Sequence, residues 1–278
     1  MNLFELTSVL AVSGLAIGFL GSLTGLGGGF IVVPLLVLGF GVDIRYAIGA
    51  SLVTVIATSS GAAAAYVRDG YANIRIAMFL EIGTTAGALL GTSLALALPK
   101  QVIGGLFGIV LLHASWMNVR RKSESKASEG GSAVAAYFGM DGAYPSAAGL
   151  VSYQAHRVPV CFGLMTVAGV LSGLLGIGSG IVKVLALDQV MGLPFKVSTA
   201  TSNFMIGVTA AAGAGVYLSR GYIDPGLAMP VVPGVLAGAF LGARLLPRVE
   251  TRRLRVLFAA VIACAAGEMI YNGVAGKF

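Results

Sequence analysis

The chain has 278 residues, of which 57% are hydrophobic and only 10% charged, with 18 Lys and Arg against 11 Asp and Glu. Soluble domains carry about 25% charged residues, so this composition cannot cover a water-facing surface and excludes a soluble globule. The net charge of +7 reads as membrane orientation and not as nucleic-acid binding, because the basic residues flank apolar runs.

The first apolar run, residues 6–39, is interrupted at 24–29, where Gly25-Leu26-Gly27-Gly28-Gly29 falls. Residues 1–20 hold Glu5 and no Lys or Arg, which does not fit the basic start of a cleaved signal peptide. Segments 44–67, 73–98 and 101–119 follow, each long enough to cross about 30 Å of hydrocarbon as a helix. Residues 120–157 open with Arg120-Arg121-Lys122 and are rich in Ser, Ala and Gly. They form the one sizeable extramembrane piece, with local structure expected around Tyr137–Tyr153. The next run, 158–190, is interrupted at 176–180 by Gly176-Ile177-Gly178-Ser179-Gly180, and segments 195–218, 225–247 and 254–272 complete the chain.

The second half repeats the first at a spacing of 151 residues. Of the 18 glycines in residues 1–127, nine find glycine at that offset, where two or three would by chance, so the chain is a duplication. The predicted fold is an all-α integral membrane protein of two inverted repeats, residues 1–119 and 158–278, joined by the 120–157 loop. Each repeat has a Gly-broken or re-entrant first segment followed by three transmembrane helices.

The inversion is argued from charge. As one helix, residues 6–39 would run ~51 Å, too long for an ordinary span, so the segment either tilts strongly or folds back at its glycines. With single crossings, Lys and Arg divide nine to eight between the faces, leaving Lys183 out. With a fold-back in each copy, Arg45, Lys100, Arg220 and Lys277 share one face and thirteen others share the opposite one. Cytoplasmic loops carry the excess of Lys and Arg, which puts the 120–157 loop in the cytoplasm and both termini outside.

Several glycines together break a helix, each costing about 1 kcal/mol relative to alanine. Broken backbone at membrane depth is tolerable only when buried in protein or lining a polar cavity, and a restarting helix aims free N–H groups at an anion. The predicted anion site therefore comprises Ser22, Thr24, Gly25, Gly27, Gly28 and Gly29 from the first break, with Gly176, Gly178, Ser179 and Gly180 from the second. Hydroxyl and amide donors join them from the following helices: Ser51, Thr54, Thr201, Ser202 and Asn203. Lys183 adds a cation, expensive in a membrane unless it serves a function; the alternatives are a side chain reaching up to the interface or a structural pair with Asp188. Glu81 is read as a coupling carboxylate or as the counter-ion of Lys183, with a place near the cytoplasmic face as the bland alternative. Gly83, Gly87, Gly91 and their counterparts Gly234, Gly238 and Gly242 form small-residue stripes for helix packing, within the chain or at a homodimer seam. Cys161 and Cys264 read as small buried apolar side chains, and His113 and Glu268 as interface residues. No metal site, cofactor site or catalytic constellation is evident, and the chain is read as a non-enzyme whose partners are a small anion and the lipid bilayer.

Gly25-Leu-Gly-Gly-Gly-Phe-Ile-Val-Val-Pro34 followed by Ala50-Ser51, with its degenerate copy at Gly176-Ile-Gly-Ser-Gly-Ile-Val-Lys-Val and Ala200-Thr201-Ser202-Asn203, resembles the TauE/SafE sulfite-exporter family of membrane transporters. The resemblance implies carriage of sulfite, sulfonates such as sulfoacetate, or other small sulfur-containing anions. Two departures stand out: Ser179 replaces a third glycine, and Leu185 stands where the first copy has Pro34. The expected activity is export by alternating access, with coupled uptake of a sulfonate or carboxylate and a passive anion channel as alternatives.

Overall fold

The computed structural model describes residues 3–24, 27–120, 132–146, 149–245 and 251–275. In the first half, α1 (Leu3–Thr24) is followed by the short α2 (Gly29–Pro34), which runs on as a π-helix over Leu35–Gly39. Then come α3 (Ile44–Arg68), α4 (Ile74–Ala97) and α5 (Lys100–Arg120). The second half repeats the order with α7 (Val158–Leu175), α8 (Gly180–Leu185) and its π-helix Ala186–Val190, α9 (Phe195–Ser219), α10 (Pro225–Leu245) and α11 (Thr251–Val274). Between them lie α6 (Ala133–Tyr137) and an antiparallel hairpin of β1 (Gly142–Ser146) and β2 (Gly149–Tyr153), where local structure was expected. Among the described residues, α3, α4, α7 and α10 are long and apolar enough to cross a membrane. The chain is a multi-pass, all-α membrane protein.

Local chemistry sets the boundaries. Asp43 caps α3 by accepting from Arg45 N at 3.0 Å, and Asn73 caps α4 by accepting from Ile76 N at 3.1 Å, each satisfying one orphan donor of a first turn. The breaks sit where the glycines are: Gly27, Gly28, Gly176 and Gly178 all have positive φ. Ser179 adopts the same left-handed backbone, at φ 47°, although it carries a Cβ. Both short helices pass into a π-turn, yet only the first contains Pro34, so proline is not the cause.

The glycine stripes are helix contacts between the two halves. Gly87 and Gly91 of α4 lie on the backbone of Thr166 and Val170 in α7, while Gly234 and Gly238 of α10 lie on Ala11 and Leu15 in α1. Close backbone approach of this kind is what small residues permit. The numbering also gives direction. Contacts rise together along α1 and α10, from Ala11 with Gly234 to Phe19 with Gly242, and along α4 and α7, so each pair runs parallel. Gly49 meets Tyr222 and Gly61 meets Leu236, which makes α3 parallel to α10; Gly213 meets Leu52 while Gly207 meets Ser59, which makes α3 and α9 antiparallel. Consequently α1 and α3 point the same way, and the chain between them doubles back. By the same reasoning α7, α4 and α9 share one direction.

Cys161 is buried in α7, as its apolar surroundings predict. Cys264 is exposed on α11 and not buried as expected. Within a membrane an outward face meets lipid, where a small apolar side chain is stable, so hydrophobicity alone does not separate the two positions.

Candidate functional site

The two breaks meet at the centre of the molecule. Side chains added at Gly27 and Gly178 would both touch Val55 and Ile206, which are themselves counterparts 151 residues apart in the crossing helices α3 and α9. Ser51 Oγ is the clasp between the halves, lying 3.2 Å from Gly29 O and 2.7 Å from Gly176 O. Its counterpart Ser202 places Oγ 3.5 Å from Gly180 O.

Three of the predicted donors, Ser51, Ser202 and Asn203, serve this backbone. Asn203 Nδ2 and Tyr66 Oη both donate to Ser22 O, at 3.3 and 2.9 Å, satisfying a last-turn carbonyl of α1 that a broken helix leaves bare. Thr92 Oγ1 does the same for Gly173 O of α7 at 3.3 Å. Ser22 Oγ donates to Phe19 O, and Thr54 Oγ1 to Ser51 O. Thr201 Oγ1 accepts from Asn73 N at 3.0 Å. Tyr66 and Thr92 are therefore site-supporting residues that the sequence reading missed, because an aromatic hydroxyl in an apolar helix gives no sign of where it reaches. Gly25 and the side chain of Thr24 lie outside the described residues.

Lys183 is fully buried, and its charge is met from two other helices. Its Nζ lies 3.8 Å from Glu81 Oε2 of α4 and donates to Thr209 Oγ1 of α9, which in turn donates to Glu81 Oε1. The nearby carboxylate and the bridging hydroxyl offset the buried charge of Lys183, while Glu81 Oε2 keeps no hydrogen bond of its own. Glu81 is the counter-ion of Lys183 in this geometry. The arrangement is one-sided. The counterparts of Lys183, Thr209 and Glu81 are Val32, Thr58 and Val232, so the second hairpin alone carries charge.

Among the described residues, the buried side-chain polar atoms without a hydrogen-bond partner are Ser172 Oγ, Ser179 Oγ, Thr199 Oγ1, Asn203 Oδ1 and Glu81 Oε2, together with Arg45 Nε and Tyr217 Oη. Such atoms are uncommon in native interiors and retain bonding capacity toward a solute or water. Ser179 also lines a cavity of about 420 Å³ that runs from the second break along α8 to Gln189, with α5 and α7 as its other walls. The lining is apolar apart from His113, Ser179 and Gln189. His113 is thus a cavity residue as well as an exposed one.

Outside the spanning helices, polar anchors fix the ends. Burial pulls the Asp43 carboxyl upward, but the hydrogen bond from Lys100, the Arg45 N–H and both positive charges outweigh it and hold it below its ordinary range. Arg45 reaches across to Leu98 O at 3.0 Å. At the other end, Asn73 Nδ2 donates to Met140 O at 2.8 Å and to Tyr153 Oη at 2.9 Å, pinning the β-hairpin region onto the start of α4. Burial raises the Tyr153 hydroxyl, with Asp141 adding to the effect and the Asn73 bond opposing it.

A duplicated bundle of apolar helices with two glycine breaks joined at its centre defines a membrane transporter. The sequence profile described as sulfite exporter TauE/SafE matches residues 10–269, and the chain belongs to that family. Its relatives carry transporter names. The probable membrane transporter protein YunE of Bacillus subtilis is 29% identical over 96% of this chain and 98% of its own length. YdhB of the same organism is 27% identical over 91% and 95%. A probable membrane transporter protein of Methanocaldococcus jannaschii is 23% identical over 92% of each. No solved structure matches the chain.

Proposed function

We propose that the protein is a secondary transporter that exports a small sulfur-containing anion, sulfite or a sulfonate such as sulfoacetate, by alternating access between two inverted repeats. The observation that carries this reading is the junction of the breaks, where Ser51 bonds the carbonyls of Gly29 and Gly176. Helix starts on both sides of that junction supply N–H groups suited to an anion. Helix directions favour inversion: α1 and α3 oppose their counterparts α7 and α9, and α4 opposes α10. These directions also gather Arg45, Lys100 and Arg220 on one side and the loop-flanking Arg120 and Arg157 on the other, in keeping with a cytoplasmic 120–157 loop. The cavity reaches from the second break toward that loop, as an inward-open site would.

Direction follows from the potential. With the inside negative, moving one negative charge outward gains about 2.3 kcal/mol per 100 mV, so export needs no coupled ion. A second reading has one observation in its favour. Glu81, buried and bonded through Thr209 to Lys183, suits proton-coupled uptake, the proton breaking the ion pair. Thermal stabilisation of the purified protein by sulfite, thiosulfate, sulfoacetate and taurine tests the proposal. Stabilisation by at least one of them, lost in Ser179→Ala, is expected; indifference to all four removes the anion site.

A further inference from the structure

Tyr66 of α3 and Tyr217 of α9 are counterparts in the duplication, and both are fully buried. Their hydroxyls are treated differently. Tyr66 Oη donates to Ser22 O, in the last turn of α1, at 2.9 Å. The counterpart of Ser22 is Gly173, in the last turn of α7, so two identical halves would place Tyr217 Oη on Gly173 O. Instead Tyr217 Oη has no hydrogen-bond partner. A buried tyrosine hydroxyl usually finds one, and leaving it unpaired costs free energy. A conformation in which Tyr217 reached Gly173 O would recover that cost.

Each of the two carbonyls also has a donor that the other half lacks. Ser22 O accepts from Asn203 Nδ2 and Gly173 O from Thr92 Oγ1, both at 3.3 Å. In the duplication Leu52 stands opposite Asn203, and Ala243 stands opposite Thr92. The tyrosine is thus the donor both halves share, and the unduplicated side chain holds the carbonyl while the tyrosine is away. With that provision, neither carbonyl is left bare when its tyrosine departs.

We propose that Tyr66 and Tyr217 are positioning residues of the access switch, whose bonds to Ser22 O and Gly173 O are made alternately. The Tyr66 bond belongs to the inward-open state seen here, and the Tyr217 bond to the outward-open one. The exchange rests on the proposed alternating access, in which one inverted repeat moves against the other, and it names the contacts that set the balance. Loss of one bond moves the population toward the state that does not use it.

The test is thiol accessibility in vesicles containing the full chain, with Cys161→Ser, Cys264→Ser and a reporter at Ser179→Cys, on the cavity wall beside the second break. A charged, membrane-impermeant methanethiosulfonate is added to inside-out and to right-side-out vesicles, and the ratio of inner to outer modification rates is read. Tyr66→Phe should lower that ratio about fivefold and Tyr217→Phe should raise it about fivefold, each the worth of one net hydrogen bond. The double variant should return the original ratio, which two merely structural tyrosines would not do. Thr92→Val, which bares Gly173 O only while Tyr217 is away, should lower the ratio as well. Val182→Cys, on the same cavity, is the reporter if Ser179→Cys does not fold. With a reporter that reacts from both faces, tyrosine variants that shift the ratio in one direction, or not at all, overturn the exchange and leave alternating access standing. A reporter that reacts from one face only, in every variant, removes both.

Discussion

Removing either charge of the Lys183–Glu81 pair should damage the protein far more than removing both. At 3.8 Å and an effective dielectric near 20, the attraction is about 4 kcal/mol. Lys183→Met strands a buried carboxylate and Glu81→Leu strands a buried ammonium, each costing about 3–5 kcal/mol. The double variant strands nothing and replaces the pair with apolar volume, which is often neutral or stabilising. Reversible unfolding in mixed micelles, run as a double-mutant cycle, should therefore return a coupling of about 3 kcal/mol, with Thr209→Val losing part of it. Sites that do not interact add within about 0.5 kcal/mol. A coupling that small would refute the pairing, and with it the one-sided charge of the second hairpin. The same variants report on function: if Lys183 also holds the anion, Lys183→Met abolishes sulfite stabilisation and Glu81→Gln, which frees the ammonium, strengthens it.

Gly91→Ala should destabilise by more than about 2 kcal/mol, because its Cβ would sit 2.0 Å from Val170 O and the helices must part; Gly163→Ala, with open space around it, should instead stabilise by about 0.5–1 kcal/mol, both read by thermal unfolding. Ser179→Gly relieves the left-handed backbone at φ 47° and should raise the unfolding midpoint, by an amount reflecting about 1 kcal/mol, whereas Ser179→Ala keeps the strain; a lower midpoint for the glycine variant contradicts this. Asp43 titrates below its ordinary value of 3.8 when folded, so its contribution is complete above that value and is lost as pH falls through the folded one. Asp43→Asn should flatten stability in that acid window and cost at most about 1 kcal/mol at pH 7 through loss of the partly exposed pair with Lys100, since asparagine caps a helix as well as aspartate, measured by unfolding across pH.

The repeat, the breaks and the packing stripes were legible because each depends on backbone chemistry written in glycine. Gly87 and Gly238 must be small for helices to touch, and a spacing of four residues declares one face. The duplication then paired Gly25 to Gly29 with Gly176 to Gly180. What hydroxyls bond to was not legible. Ser51 and Asn203 look the same in sequence whether they donate to a solute or to the carbonyls of Gly176 and Ser22, since the choice depends on a neighbour more than a hundred residues away. The Lys183–Thr209–Glu81 arrangement joins three helices, and only Lys183 and Glu81 announced themselves, by the cost of charge in lipid. The size of the cavity, a property of how α5 leans on α7 and α8, has no sequence signal.

Efflux of sulfite from loaded vesicles, at zero and at inside-negative potential and with the 120–157 face inward, tests the account most directly. Saturable efflux that quickens as the inside becomes more negative is predicted. Efflux that is absent, indifferent to potential or unsaturable would contradict it.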